Sequence, residues 1–444
     1  MPGIFGDIQV GLSGLQAQTQ ALSVTGENVS NASTPGYHRE TVALTEAPPT
    51  GGVPGGFGSG VDVVAVQRQT SNFLTQQARN TASDLGQWQT TSTILNEVQS
   101  AFNDMQGAGL SQSINTFFSS LSALANNPQD MSTRTAVVAD GQALAAAFQT
   151  TSSQLGTLSS DTTQQLSNTV QQVNSLAQQI ASLNEQILSA QSGGTAANTL
   201  LDQRHVLVDQ LSKLVPVTAV DGGQTVLIGG LALVTAGTVK QVSLQNVSMQ
   251  LDKVPINPTG GVLGADLTAL TNTIPGIESQ LNTLASSLMT AVNTQHAAGY
   301  GLDGSTGLPF FTGTNASDIA VNSQLVSNPA KIAASSTSGA LGDGSNAQAM
   351  ANVQNQTLSG LGSSVTQGYS SLIASIGQQA QIASSFQQRA TLMQQTVQQQ
   401  EQAISGVSLD QEGANMVVQQ QAYDAAALYI KTLGQVFQSL VTSV

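Results

Sequence analysis

The chain of 444 residues contains no cysteine, which excludes disulfides, thiol nucleophiles and Cys-ligated zinc together. Charge is scarce: 11 Lys+Arg and 25 Asp+Glu make up 8% of the residues, about a third of the usual quarter. The balance is acidic, with a net charge of −14, and no window gathers Lys or Arg. Nucleic acid is therefore excluded as a partner, because neutralising phosphates needs such a cluster, and an anionic membrane surface is disfavoured for the same reason. No apolar run approaches the ~20 residues of a spanning helix, so no membrane insertion is expected. Residues 1–30 hold neither Lys nor Arg and no apolar core of roughly 7–15 residues, so no cleavable signal peptide is expected. Aromatics are 4% against 40% hydrophobic residues overall, which leaves Ala, Leu, Val and Ile to build the interior. Solubility rests on uncharged polar side chains: the 55 Gln alone outnumber the charged residues.

Catalytic and metal-binding motifs are also missing. His38, His205 and His296 carry no metal-type spacing, and neither a His-Glu-x-x-His run nor a Gly-x-Ser-x-Gly elbow occurs. The stretch GGVPGGFGSG (51–60) lacks the Lys-Ser/Thr of a phosphate loop and reads as a flexible loop. Asp303 in GLDGSTG (301–307) lacks the further acidic ligands of a calcium loop and reads as a plain turn. No cofactor, no metal and no enzymatic activity are expected.

What the sequence does have is helical periodicity. Leu409, Met416, Tyr423, Ile430, Phe437 and Val444 recur at intervals of seven, the mark of a helix with one apolar seam. Ala426, Leu433 and Leu440 broaden this face, and Ser408 with Gln411 three residues on has capping-box spacing. At the other end Phe5, Ile8, Leu12, Leu15 and Leu22 follow 3/4 spacing, and Val29 continues the Ile8–Leu15–Leu22 series. The two terminal helices are natural partners for each other. Between them, Leu74 to Phe102, residues 131–190 and residues 365–404 keep helical register. The second ends at Gly193–Gly194, read as an achiral cap. Helices of this length must pack lengthwise into a bundle.

Strand-like patterning forms islands. VDVVAVQR (61–68) is one, and 214–256 is another, its β-branched runs separated by Asp221-Gly222-Gly223, Gly229-Gly230 and Gly237, which are hairpin signals. The Gly-, Ser-, Asn- and Pro-rich stretch 300–348 is assigned to the same β module. The expected fold is mainly α: a long helical bundle with a terminal coiled-coil helix pair and a small inserted β-rich domain. Residues 1–40 and 405–444 form the two halves of the terminal coiled-coil core. Helical rod segments occupy 41–215, 262–300 and 349–404. The β-rich insert covers 216–261, and a loop- and β-rich outer segment covers 301–348.

These residues carry a resemblance. GLSGLQAQTQALSVTGENVSNASTPGYHRE (11–40) resembles the N-terminal signature of bacterial flagellar rod, hook and hook-associated axial proteins, with Asn28, Asn31, Thr34, Pro35, Gly36, Tyr37 and Arg39 at its marked positions. GVSLDQEGANMVVQQQAYDAAALYIKTLGQVFQSLV (406–441) is similar to their C-terminal signature. Within the interior, LLDQRHVLVDQLSKLVPVTAV (200–220), the segment 260–311, SDIAVN (317–322), NPAKIAAS (328–335) and GDGSNAQAM (342–350) resemble the hook-associated protein 1 family. Two departures stand out. Leu270-Thr271-Asn272 replaces a charged pair usual in the family, so the same local ion pair cannot form. The insert is also short, which suggests a reduced outer domain.

The resemblance implies a non-catalytic structural subunit at the hook–filament junction of the flagellum, outside the cell, exported without a cleaved signal through the flagellar type III channel. It implies self-association into a ring or helical layer. The implied partners are the hook protein, the second hook-associated junction protein and an export chaperone at the C-terminal region. A hook or rod protein would share the ends but have a mostly β interior; a secreted helical adhesin or effector would not explain both terminal signatures. From the residues themselves, Pro35 and Gly36 set a type II turn at Thr34–Tyr37, because Pro presets φ and Gly allows φ > 0. That turn ends the first helix. Asn28 and Asn31 either cap local backbone or reach a neighbouring subunit, and Tyr37 packs on the helical pair or on a subunit. Ile8, Leu15, Leu22, Leu409, Met416, Tyr423, Ile430 and Phe437 are expected to pack the terminal helices.

Overall fold

The computed structural model describes residues 4–48, 58–102, 109–193 and 197–442. Val444, Gly194, most of the 51–60 loop and the side chain of Phe5 lie outside the described residues. In chain order, α1 spans Ile4–Asn31, β1 Glu40–Glu46, β2 Val61–Arg68, α2 Asn72–Ala101, α3 Leu110–Asn126, α4 Met131–Ser192 and α5 Asn198–Leu214. Seven short strands follow: β3 Val217–Val220, β4 Thr225–Ile228, β5 Leu231–Thr235, β6 Thr238–Val239, β7 Val242–Gln245, β8 Ser248–Leu251 and β9 Val254–Ile256. Then come α6 Gly261–Thr268, α7 Ile274–Ala297, β10 Phe311–Thr312, β11 Ala320–Val321, α8 Ser323–Ser327, α9 Ser345–Asn352, α10 Val365–Ser405 and α11 Leu409–Thr442. The fold is mainly α, with long bundled helices, a terminal helix pair and a small β-rich region mid-chain.

The body is organised around α4, whose 62 residues reach about 90 Å at the α-helical rise. Asp130 caps its start, accepting from the backbone N–H groups of Ser132 and Thr133. Its first half, from Val137 to Leu158, packs into a core with α3, α7, α9 and the first turns of α10. Its second half, from Leu166 to Ala181, packs into another core with α5, α6 and strands β3–β9. Those strands form two antiparallel meanders, β3-β4-β5-β6 and β7-β8-β9. Alternate residues Val226 and Ile228 of β4 are fully buried, as one covered sheet face requires. Helices α2 and α10 lie against each other, where Trp88 stacks on Phe386 with ring centroids 4.4 Å apart and the Arg389 guanidinium covers Phe386.

Several expectations need correction. The segment 300–348 does not join the β module. Phe310, Phe311, Ile319, Leu325 and Ile332 are buried in the core of α3, α4 and α7, where Phe117 meets Phe118, Phe310 and Phe311 at 5.3 Å between ring centroids. Its Gly and Asn residues shape turns between buried anchors, so a loop-like composition conceals core positions. Residues 41–46, assigned to the helical rod, lie instead in β1, which pairs antiparallel with β2 through a bulge at Ala43/Leu44. Gly193 is the C-cap of α4 with φ −82, so it does not itself take the left-handed conformation.

The terminal helices form a separate antiparallel pair. Thr25 Oγ1 of α1 donates to Gln419 Oε1 of α11 at 2.9 Å, while towards the far end a Cβ at Gly11 would sit 2.7 Å from Cγ1 of Ile430. The absent side chain at Gly11 is therefore what lets the two helices approach there.

Candidate functional site at the base of the terminal helices

The chain leaves α1 through the expected turn. Tyr37 N–H donates to the Thr34 carbonyl at 3.2 Å, and Gly36 has φ +78, the left-handed conformation that the third position of a type II turn demands. A Cβ at Gly36 would also collide with Val206 of α5. Asn31 stays local: its Nδ2 donates to the Glu27 carbonyl at 3.1 Å, and its Oδ1 accepts from the Thr34 hydroxyl at 3.1 Å. Thr34, Pro35 and Gly36 are exposed, and Tyr37 is half-buried.

Asn28 has a different role. Only 1% exposed, it accepts at Oδ1 from Tyr37 Oη at 2.9 Å and from the Glu40 backbone N–H at 2.8 Å. Its Nδ2 donates to the Glu40 carbonyl at 2.9 Å and to Glu412 Oε2 at 3.3 Å. One amide thus ties α1, the turn, β1 and α11 together, using both its donor and its acceptor sides. Glu412, also 1% exposed, takes its other contact from Arg39 Nε at 2.6 Å. The Arg39 backbone N–H donates to the Ser405 carbonyl at 2.8 Å, fixing the corner between α10 and α11. Ser408 Oγ caps α11 by accepting from Gln411 N–H at 3.4 Å.

A second layer binds this corner to the body. His38 Nδ1 lies 2.7 Å from Asp202 Oδ1, and Arg68 donates to the same oxygen at 2.5 Å. Burial opposes charge on Asp202, but these two partners outweigh it and hold the carboxyl below the usual range. An ionised carboxylate only accepts, so Nδ1 of His38 carries the proton. Asp209 repeats the arrangement. Burial is again outweighed, here by His205, whose Nε2 is 3.1 Å away, and by Arg79, whose Nε donates at 2.8 Å. The His38 and His205 rings meet edge to face at 4.6 Å. Burial raises the pKa of Tyr37, and the neighbouring Glu40 raises it further, so its hydroxyl remains a donor to Asn28.

The terminal seam is only partly formed. Tyr423 and Ile430 are half-buried, as are Ile8, Leu15 and Leu22, while Leu409, Met416 and Phe437 are exposed. A straight helix drifts about 20° per seven residues, so a strict seven-residue series cannot stay on one contact line over α11. The closest packing on α1 is instead made by small residues: Gly11, Ala17, Val24 and Thr25 are buried. Val418 and Leu428 of α11 are 65% and 63% exposed. Sequence reasoning missed Glu40, Arg68, Asp202, His205, Asp209 and Glu412 as members of this site. The available signal was density, because in a chain this poor in charge, His38-Arg39-Glu40 and the acids and bases of 202–209 are conspicuous clusters.

A family model described as the flagellar hook-associated protein FlgK helical domain matches residues 95–311, and one for the flagella basal body rod protein matches residues 8–38. Flagellar hook-associated protein 1 of Bacillus subtilis is 29% identical across 99% of this chain and 98% of its own length. Along almost its whole length the chain is similar to flagellar hook-associated protein 1. The Escherichia coli family member is 28% identical across 97% of this chain and 98% of its own length. That of Salmonella typhimurium is 27% identical over 68% of this chain and 58% of its own. A solved structure of the flagellar hook junction protein FlgK from Burkholderia pseudomallei shares the fold, with a TM-score of 0.64 at 19% identity, covering 76% of this chain and all of that one. Asn28 and Glu412 meet in one hydrogen-bonded node although 384 positions separate them.

Proposed function

We propose that this chain is a structural subunit of the bacterial flagellum that forms the junction between hook and filament, assembled by packing of its terminal helices after export. The observation that carries this reading is the contrast within α11. Its base is locked through Glu412 and Arg39, while Val417, Val418, Leu428, Val436 and Val441 stand exposed along its length. Apolar surface of this extent, rimmed by Gln and Ser, marks an interaction site, and neighbouring copies of the same helix pair are its natural cover. The subunit is non-catalytic and self-associates into a ring or helical layer. It contacts the hook protein on one side and the second junction protein on the other. Before export, a chaperone shields the C-terminal face. Asn28, Tyr37 and Glu412 set the angle at which the helix pair leaves the body.

A hook or rod position is the second reading, favoured by the match of residues 8–38 to the rod-protein model. The long helices α4 and α10 speak against it, since those proteins are expected to have a mostly β interior. Antibody labelling of isolated flagella, viewed by electron microscopy, separates the two. Label confined to the hook–filament boundary is expected. Label along the whole hook establishes the second reading, and no flagellar label overturns both.

A further inference from the structure

Two of the three histidines of the chain meet at one place. A ring nitrogen from each of His38 and His205 and a carboxylate oxygen of Glu401 all lie within 4.8 Å of one another. They come from three different elements: the segment between α1 and β1, helix α5, and the last turns of α10. The group borders an open cavity of about 730 Å³ that Asp209, Gln398 and Gln402 also line. We propose that His38, His205 and Glu401 form a site for a first-row divalent cation, with zinc the best match, that fastens the base of the terminal helices to the body.

The donor set is the first argument. Two imidazoles and one carboxylate are borderline ligands that suit Zn²⁺, and three protein ligands with a fourth position open is a familiar zinc arrangement. Asp209 Oδ2, 3.1 Å from His205 Nε2, or a water from the cavity supplies that fourth position.

The surroundings are the second. Asp202 holds Nδ1 of His38 at 2.7 Å, which leaves Nε2 with its lone pair and fixes the ring, the way a carboxylate orients a metal-binding histidine. Charge is the third. Asp202 and Asp209 are matched by Arg68 and Arg79. Among the described residues Glu401 has no Arg or Lys partner: Thr75 donates to it at 3.1 Å, and His205 Nε2 stands 3.9 Å away. A half-buried carboxylate without a counter-charge beside two imidazoles is where a dication lowers the electrostatic cost most.

Closure of the site is modest. Ligand atoms around tetrahedral zinc sit roughly 3.3 Å apart, given bonds of about 2.0–2.2 Å, so the widest pair must approach by about 1.5 Å. Glu401, whose side chain is partly exposed beside the cavity, is the ligand with room to move. The third histidine is a built-in contrast. His296 lies against the Leu308 carbonyl through Nδ1 at 2.7 Å and accepts from Ala333 N–H through Nε2 at 3.1 Å, so neither nitrogen is available to a metal.

The test uses tag-free, metal-stripped full chain titrated with Zn²⁺ by calorimetry, with Co²⁺ absorption as a probe of geometry. One Zn²⁺ per chain is expected, together with a rise in Tm and intense tetrahedral Co²⁺ bands. Glu401→Gln and His205→Gln should each weaken binding at least about tenfold and abolish the Tm rise, with unchanged circular dichroism. Absence of stoichiometric binding at millimolar Zn²⁺ overturns the proposal, as does binding that survives both substitutions. If His205→Gln fails to fold, Glu401→Gln decides alone, because that side chain reaches the cavity and its replacement is isosteric.

Discussion

Helices α4 and α11 are both long, and each carries only four charged residues, yet their apolar side chains end in opposite places. Along α4, Val137, Leu144, Phe148, Leu155, Leu166, Val173, Ala177 and Ile180 are wholly buried. Along α11, Glu412 is the buried residue, and most of the large aliphatic side chains face outward, Ile430 and Leu433 excepted. The body therefore gains its stability within the chain, from continuous packed cores on both halves of α4. The terminal pair gains little of its own beyond the contact with α1, where small residues at Gly11 and Ala17 permit close approach. What fixes its position is polar: Asn28, Tyr37, Arg39 and Glu412 give it a direction, and its apolar face is left for later burial.

The strongest blow to this contrast is Phe117→Ala, in the middle of the four-ring cluster of the body. It should cost about 3–5 kcal/mol, read as a large loss of Tm in the isolated chain. A small loss would mean the body is not the stable partner of the comparison. Gly36→Val acts on the other side. The backbone strain at φ +78 costs about 1–3 kcal/mol, and the collision with Val206 adds to it. The main thermal transition should hold, while hydrogen exchange across 409–442 quickens and motility fails. Normal motility in that mutant removes the turn from the argument.

Two buried titratable groups in the body sharpen the comparison by pH. Asp266 is fully buried, with Oδ1 accepting from Gln165 at 3.2 Å and Oδ2 without a partner among the described residues, and burial pushes its pKa up to about 7. The native state then binds a proton that the unfolded chain releases near pH 4, so this group's contribution falls as pH rises from about 4 to 7. Asp266→Asn should stabilise the body by about 2 kcal/mol at pH 8 and by much less at pH 4. Burial lowers the pKa of His296 to about 4, which gives the opposite slope: its contribution is complete above about pH 6.5 and is lost as pH falls towards 4. Equal pH profiles for wild type and Asp266→Asn would show that the carboxyl is not held protonated. The smallest effect belongs to Val418→Ser on α11, expected to change monomer stability by less than about 0.5 kcal/mol while impairing assembly. A marked loss of monomer Tm would place that face in an internal contact.

The long helices were legible because a period of 3.6 repeated over 30 or more residues leaves little ambiguity. The turn at Thr34–Tyr37 was legible because Pro and Gly have strict backbone requirements. Strand β1 was not, since ETVALTE is short and its burial is shared between faces. The anchors Phe310 and Phe311 were obscured by flanking Gly and Asn. The node was hidden for another reason: Asn28 and Glu412, or His38 and Asp202, meet only once the fold has closed, across 384 and 164 positions. Local pattern carries no trace of such pairs. The seven-residue series of α11 was read correctly as apolar but assigned to one seam, which the geometry of a straight helix does not allow.

The unbroken course of α4 through both cores has a mechanical meaning. Each half is clamped along its length by its own set of neighbours, so tilting one core against the other would require bending a continuous rod rather than opening a hinge. Twist applied at one end is handed to the other through backbone hydrogen bonds in series, without slack. In the junction role proposed for this chain the body would serve as a rigid collar, its stiffness supplied by one helix.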